Sequence, residues 1–233
     1  MSLISLKSVF LKKKMHFRLL MCPLFKGFSP VETEELLSKT RYQYLNFLDK
    51  EVIQYAGESI DYLWIVLEGK VKGEMIDEAL KIVKIEDIPA PLPLAIAFMF
   101  CSKNKFPVTV TSNGKSKLIR IEKSSVLEMM NKNQKFLQNF LTLVSNKAKF
   151  LSDRIYFLSF NTIKQKIAHY IMDEAIGGSS FKMNISQQEL ADFFGVARPS
   201  LSRTISEMEA EGIIEYDKKT FTILDREKLV KLL

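Results

Sequence analysis

At Ser124 the hydrophobic pattern of this chain changes period, and that change divides what its two halves can fold into. From about residue 43 to 122, apolar residues come in short runs rich in Val, Ile, Phe and Tyr, such as YLWIVLEGKVKGEMI, KIVKI, PVTVT and KLIRI, broken by Gly, Pro and Asn. Runs of this kind, bounded by turn residues, are strands. So many in one stretch imply an antiparallel jelly roll or barrel. After Ser124, Leu137, Phe140, Leu141, Val144, Ala148, Leu151, Ile155 and Leu158 recur every three or four positions, the spacing of an amphipathic helix. The expected class is therefore α+β, with the strands first and the helices after them.

The boundaries follow from the same pattern. Pro30 with the acids after it, and Leu36 and Leu37, predict a short helix over 30–39 that caps the strand region. Gly57, Gly69 and Gly73 fall at turn-like positions, while Trp64, Val66 and Val71 have strand spacing and Trp64 reads as core. The helix over 134–158 would be about 36 Å long, more than one small domain needs to cover its core. Its surplus stripe is expected to pack on a second copy of the chain, with Leu137, Phe140, Val144, Leu151 and Ile155 at the seam of a homodimer. Ser159, Phe160 and Asn161 interrupt the stripe, and Asn161 or Thr162 is placed to cap a helix from Ile163 to Ala175. Gly177, Gly178, Ser179 and Ser180 then form a flexible turn. The expected organisation is an extension over 1–20, a jelly-roll domain over 21–132, a dimer helix and hinge over 133–160, and a C-terminal domain over 161–233.

Composition narrows the function more than the fold. With 47% hydrophobic and 26% charged residues, and no apolar run near the roughly 20 that span a bilayer, a cytoplasmic protein without membrane contact is expected. The N-terminal charges follow a short apolar stretch, the reverse of a secretory signal, and Met15 is an alternative start that would leave residues 1–14 as an ill-fitting extension. The net charge of +7 sits mostly at the N-terminus, so a nucleic-acid argument must rest on where individual cations project. Cys22 and Cys101 lack metal-ligand spacing and read as buried small apolar side chains. No acid/base pair, nucleophile constellation or phosphate-binding glycine loop suggests an enzyme.

The segment ISQQELADFFGVARPSLSRTISEMEAEGIIEY carries the most specific signal. Ser186 and Glu189 form an S-x-x-E capping box, opening a helix that buries Leu190, Ala191 and Phe194. Gly195 supplies a tight turn, Val196 packs within it, and Pro199 fits the first turn of a second helix with Leu201, Ile205 and Met208 facing inward. The outer face of that helix carries Arg198, Ser200, Ser202, Arg203 and Ser206, short hydroxyls and guanidinium forks suited to base edges and phosphates. IIEYDKKTFTIL then reads as two strands around a wing tip, with Lys218 and Lys219 placed for phosphate oxygens. Gln187 joins these residues as a candidate DNA contact from the first helix.

From about Leu20 onward this order of parts resembles the cyclic AMP receptor protein and FNR (Crp-Fnr) family of bacterial transcription regulators. The resemblance implies a cyclic-nucleotide-binding-like jelly roll, a dimerisation helix and a C-terminal winged helix-turn-helix that binds DNA. By that likeness Arg198 and Arg203 match the recognition-helix arginines, and Pro199 stands where many members have a base-reading Glu. The cyclic-nucleotide cassette does not match: PLPLAI (Pro91 to Ile96) and FPVTV (Phe106 to Val110) put Pro93 in place of the ribose-binding Glu and Phe106 in place of the phosphate-binding Arg. A phosphate buried without a cation is strongly disfavoured, so control by cyclic AMP in the usual manner is not expected. Leu94, Ala95, Ile96, Phe106, Val108 and Thr109 are instead candidate lining for a small apolar effector, or filled core. Cys22 alone near the N-terminus cannot supply an iron-sulfur cluster, and His16 and His169 are poorly placed for heme, so no cofactor is expected. The expected partners are double-stranded DNA at an inverted repeat, a second copy of the chain and, by the family likeness, RNA polymerase. A ligand that binds the two arrangements with different affinity would bias the hinge near Phe160 and reorient the winged domains; the alternative reading is a small-molecule or redox sensor acting through protein contacts.

Overall fold

The computed structural model describes residues 16–76 and 82–233, so the extension over 1–14 lies outside the described residues. The chain forms two compact units that divide between Lys147 and Ala148.

In the first unit, helix α1 (Pro30–Ser38) opens on a capping box in which the Ser29 hydroxyl accepts from the Glu32 N–H and the Glu32 carboxylate accepts from the Ser29 N–H. Seven strands follow: β1 (Tyr42–Phe47), β2 (Val52–Gln54), β3 (Tyr62–Glu68), β4 (Lys70–Ile76), β5 (Ile82–Pro89), β6 (Thr109–Ser112) and β7 (Ser116–Glu122). They pair antiparallel in two sheets, ordered β1-β7-β3 and β2-β6-β4-β5, which are not closed into a barrel. Leu63 to Leu67 of β3 are all buried, so both faces of this strand are covered. Its remaining edge is taken by the Pro-rich segment that follows β5: the Val66 N–H donates to the Leu92 carbonyl at 3.0 Å and the Leu94 N–H to the Trp64 carbonyl at 2.8 Å. Trp64 is core, as its spacing implies.

Three sequence expectations change in this unit. Gly73 lies inside β4, where a Cβ would come within 2.9 Å of a Val108 methyl, so close strand packing and not a turn requires glycine there. Cys22 is buried, but Cys101 is exposed. Phe140 is buried in this unit's own core against Phe100 and Val144 packs on the same core, so neither is free for a dimer seam.

Helix α2 (Lys123–Lys132) leads to the long helix α3 (Gln134–Ser159), which begins with Phe136 buried in the core of the first unit and ends with Phe157 buried among aromatic rings of the second unit. The division between units thus falls inside this helix. Leu141 at 55% and Ile155 at 69% exposure, with Leu151 and Leu158, leave apolar surface along it. That surface is narrower than the sequence stripe because the Phe140 side is already packed.

The second unit contains α4 (Ile163–Glu174), β8 (Ser180–Lys182), α5 (Gln187–Phe194), α6 (Arg198–Ala210), β9 (Ile214–Asp217), β10 (Thr220–Ile223) and α7 (Arg226–Val230). Thr162, not Asn161, caps α4, in a reciprocal box with Gln165. Ser180 is part of strand β8, which extends the wing to three antiparallel strands in the order β8-β10-β9, whereas the sequence placed it in a flexible turn. Phe181 of β8 stacks on Phe221 of β10, which anchors the extra strand. Among the described residues no helix is long and apolar enough to cross a membrane.

Candidate nucleic-acid interface and cavity

The two helices α5 and α6 are set by local chemistry. The Ser186 hydroxyl accepts from the Glu189 N–H at 3.2 Å and the Glu189 carboxylate accepts from the Ser186 N–H at 2.7 Å, which lowers the Glu189 carboxyl pKa. Gly195 ends α5 at φ +68°, a left-handed conformation that disfavours side chains, and a Cβ there would sit 2.7 Å from Leu158 Cδ2. The end of α3 therefore seats the turn. Phe157 supports it from beneath, with its ring centroid 5.1 Å from those of Phe193 and Phe194.

Lys166 holds the same turn from α4. Its buried Nζ donates to the Phe194 carbonyl at 3.0 Å, and burial lowers its pKa. A cation at the carboxyl end of α5 meets the negative end of the helix dipole. Lys166 was not singled out from the sequence, although a signal exists: it stands three residues after Ile163 and four before Tyr170, on the apolar stripe of α4.

Leu201, Ile205 and Met208 bury one face of α6. Arg198, Pro199, Arg203 and Ser206 are exposed, and Ser200 and Ser202 half-buried. Two acids toward the far end of the helix are engaged elsewhere, Glu209 accepting from the Tyr216 N–H at 2.9 Å and Glu211 pairing with Lys164 at 2.6 Å, while Glu207 is exposed. Neither Arg198 nor Arg203 has an ion-pair partner among the described residues, so both guanidinium forks point outward unneutralised. Gln187, the first residue of α5, is half-buried. Lys218 and Lys219 form the two-residue turn between β9 and β10, at φ +44° and +72°, and both are exposed. The pair of left-handed residues is the geometry of a tight hairpin.

The residues expected at a hinge are packed. The Phe160 ring stacks on His169 with centroids 4.0 Å apart, and the Tyr156 hydroxyl lies 3.1 Å from His169 Nδ1.

In the first unit a cavity of about 250 Å³ lies beside the Pro-rich segment. Leu94, Ala95, Ile96, Phe106 and Val108 line it together with Ile88, Leu92, Pro93 and Leu143. Thr109 does not line it: its hydroxyl accepts from the Ala56 N–H at 3.2 Å. The charged lining is Glu86, Asp87 and Lys147, and Lys147 lies 3.6 Å from Glu86. Among the described residues no arginine lines the cavity.

Residues 165–232 match the family model for the Crp-like helix-turn-helix domain. Over 214 residues the chain is 21% identical to a probable transcriptional regulator, flp, of Lacticaseibacillus casei, covering 89% of this chain and 94% of that protein. It is also similar to the solved structure of a transcriptional regulator from Thermotoga maritima, with 29% identity and a TM-score of 0.50 over 54% of this chain and 96% of that one. The catabolite activator protein of Thermus thermophilus shares the fold, with 18% identity and a TM-score of 0.53 over 90% of this chain and 97% of that one. A jelly-roll unit followed by a winged helix-turn-helix that turns arginine and serine outward defines a DNA-binding transcription regulator. The C-terminal unit is a Crp-like helix-turn-helix domain, and the chain as a whole is similar to regulators of the Crp-Fnr type.

Proposed function

We propose that the protein is a cytoplasmic homodimer that reads an inverted-repeat operator and is not controlled by cyclic AMP in the usual manner of its family. The observation that carries the first part is the combination of an exposed apolar strip on α3, through Leu141, Leu151 and Ile155, with the outward arginines of α6. Pairing α3 with its copy buries that strip. The two-fold axis then presents two copies of α6 to half-sites about one helical turn, roughly 34 Å, apart. Arg203 is the base-reading residue, best matched to guanine, while Lys218 and Lys219 add phosphate contacts that carry no sequence information.

The apolar cavity supports the second part. A cyclic phosphate placed there would face Glu86 and Asp87, with Lys147 as the cation among the lining residues and already beside Glu86. An uncharged or weakly polar molecule fits the lining far better. Apolar cavities of about 150 Å³ already accept benzene, so a substituted aromatic ring is the size of effector that this one suits.

Repeated selection from a random duplex pool at about 150 mM salt, where non-specific phosphate binding is suppressed, tests the reading, with light scattering for mass. Recovery of an inverted repeat by a dimer is the expected result. A monomer that ignores DNA even at low salt refutes it.

A further inference from the structure

Within that proposed reading of DNA, on which this inference rests, we infer that Pro199 is a second specificity-determining residue and that it selects thymine by its 5-methyl group. Pro199 lies in the first turn of α6, four residues before Arg203 and seven before Ser206. On a helix these three positions share one line. All three are exposed, while Leu201, Ile205 and Met208 occupy the opposite, buried face.

The first turn of a recognition helix is the part that reaches base edges in the major groove. What this first turn offers there is unusual in its chemistry. Proline has no N–H and no polar side-chain atom, so the Pro199 ring can neither donate to guanine nor accept from cytosine. Ala197, two residues earlier and also exposed, has no polar side-chain atom and makes no side-chain cap, while Arg198 and Ser200 on either side of Pro199 project about 100° around the helix from it. The one base-edge feature in the major groove that an apolar surface recognises is the methyl group of thymine. A rigid pyrrolidine ring meets it without losing rotamer freedom. A thymine is therefore expected in each half-site, on the side of the Arg203 guanine that faces the start of α6.

The test uses the full chain and the duplex recovered by selection. Each thymine of the half-site is replaced in turn by uracil, which removes the methyl and leaves base pairing intact. Burying one methyl or methylene is worth about fourfold in affinity, so one position should weaken binding by about that factor and the others by little. At that same position cytosine should bind poorly and 5-methylcytosine should recover part of the loss. In Pro199→Ser the ratio of thymine to uracil affinity should fall to about one, with the preference for the Arg203 guanine unchanged.

Equal binding of thymine and uracil at every position, on an intact inverted repeat, overturns this inference alone. So does a discrimination that survives in Pro199→Ser. Failure to recover any sequence, with no duplex binding at low salt, overturns the proposed function and this inference with it.

Discussion

Replacing Gly195 by alanine should loosen the second, DNA-binding unit and leave the first unit alone. The turn holds φ at +68°, which costs an alanine about 1–2 kcal/mol. The reduced freedom of the unfolded chain offsets only about 0.4–1 kcal/mol. The new Cβ would also lie 2.7 Å from Leu158 Cδ2, an overlap that half-exposed Leu158 relieves in part by turning its side chain outward. A net loss of about 1–2 kcal/mol follows, or a drop of about 5–10 °C in the midpoint of a domain of this size. Trp64, the sole tryptophan, lies in the first unit, so its fluorescence reports that unit while circular dichroism follows the helices of both. The dichroism transition should move down while the Trp64 transition stays in place. Adding Leu158→Ala should recover the overlap part, at least about 0.5 kcal/mol for groups in contact, but not the backbone part. A Trp64 transition that falls equally with the other, or a Gly195→Ala protein as stable as the parent, would refute the reasoning.

Other expectations follow from the same geometry. Arg203→Ala should relax base preference in the selected half-site by about 1–3 kcal/mol, whereas Lys218→Ala should weaken all sequences alike and lower the salt slope by about 1 per lost phosphate contact; titrations at several salt concentrations separate the two. Cys22 is buried and its thiol is pushed up to about 12 by burial, while Cys101 is exposed, so a maleimide at pH 8 should label one thiol per folded chain, at Cys101 by peptide mapping. The Glu32 carboxyl is held at about 2 by the Ser29 N–H and by Lys135. Its contribution to stability is therefore complete above the unfolded value near 4.5 and is lost as the pH falls through about 2. Trp64-monitored unfolding should lose stability across that window, and Glu32→Gln should flatten the loss. Calorimetry with cyclic AMP should give no saturable heat, whereas Glu and Arg introduced at Pro93 and Phe106 together are the pair against which that result is judged.

The recognition motif was legible because its signals are local. Ser186 and Glu189 cap each other across three residues, Gly195 suits the left-handed backbone at its position, and Pro199 suits the first turn of a helix, where its missing N–H costs nothing. The long helix was legible for the same reason, from spacing alone. What lay beyond reach was which neighbour each apolar residue meets. Phe140 and Leu141 are adjacent and equally apolar, yet one packs on Phe100 and the other remains exposed. Strand β8 has three residues beside a Gly-Ser turn and no periodicity to read; pairing with β10 creates it. Thr109 is polar by sequence and suited a cavity wall, but its hydroxyl is taken by Ala56 across the loop. Lys166 shows the converse, a cation whose position on an apolar stripe was a legible sign of burial that the sequence reading passed over.

The wing tip has a consequence for anyone who would alter this protein. Two lysines occupy left-handed backbone at Lys218 and Lys219, where Asn-Gly would sit with least effort. A tip chosen for folding alone would not look like this. Substituting Asn-Gly should raise the melting temperature and weaken DNA binding together, so at this hairpin stability and affinity pull in opposite directions. Selection for a sturdier fold would erode the wing before it touched the recognition helix.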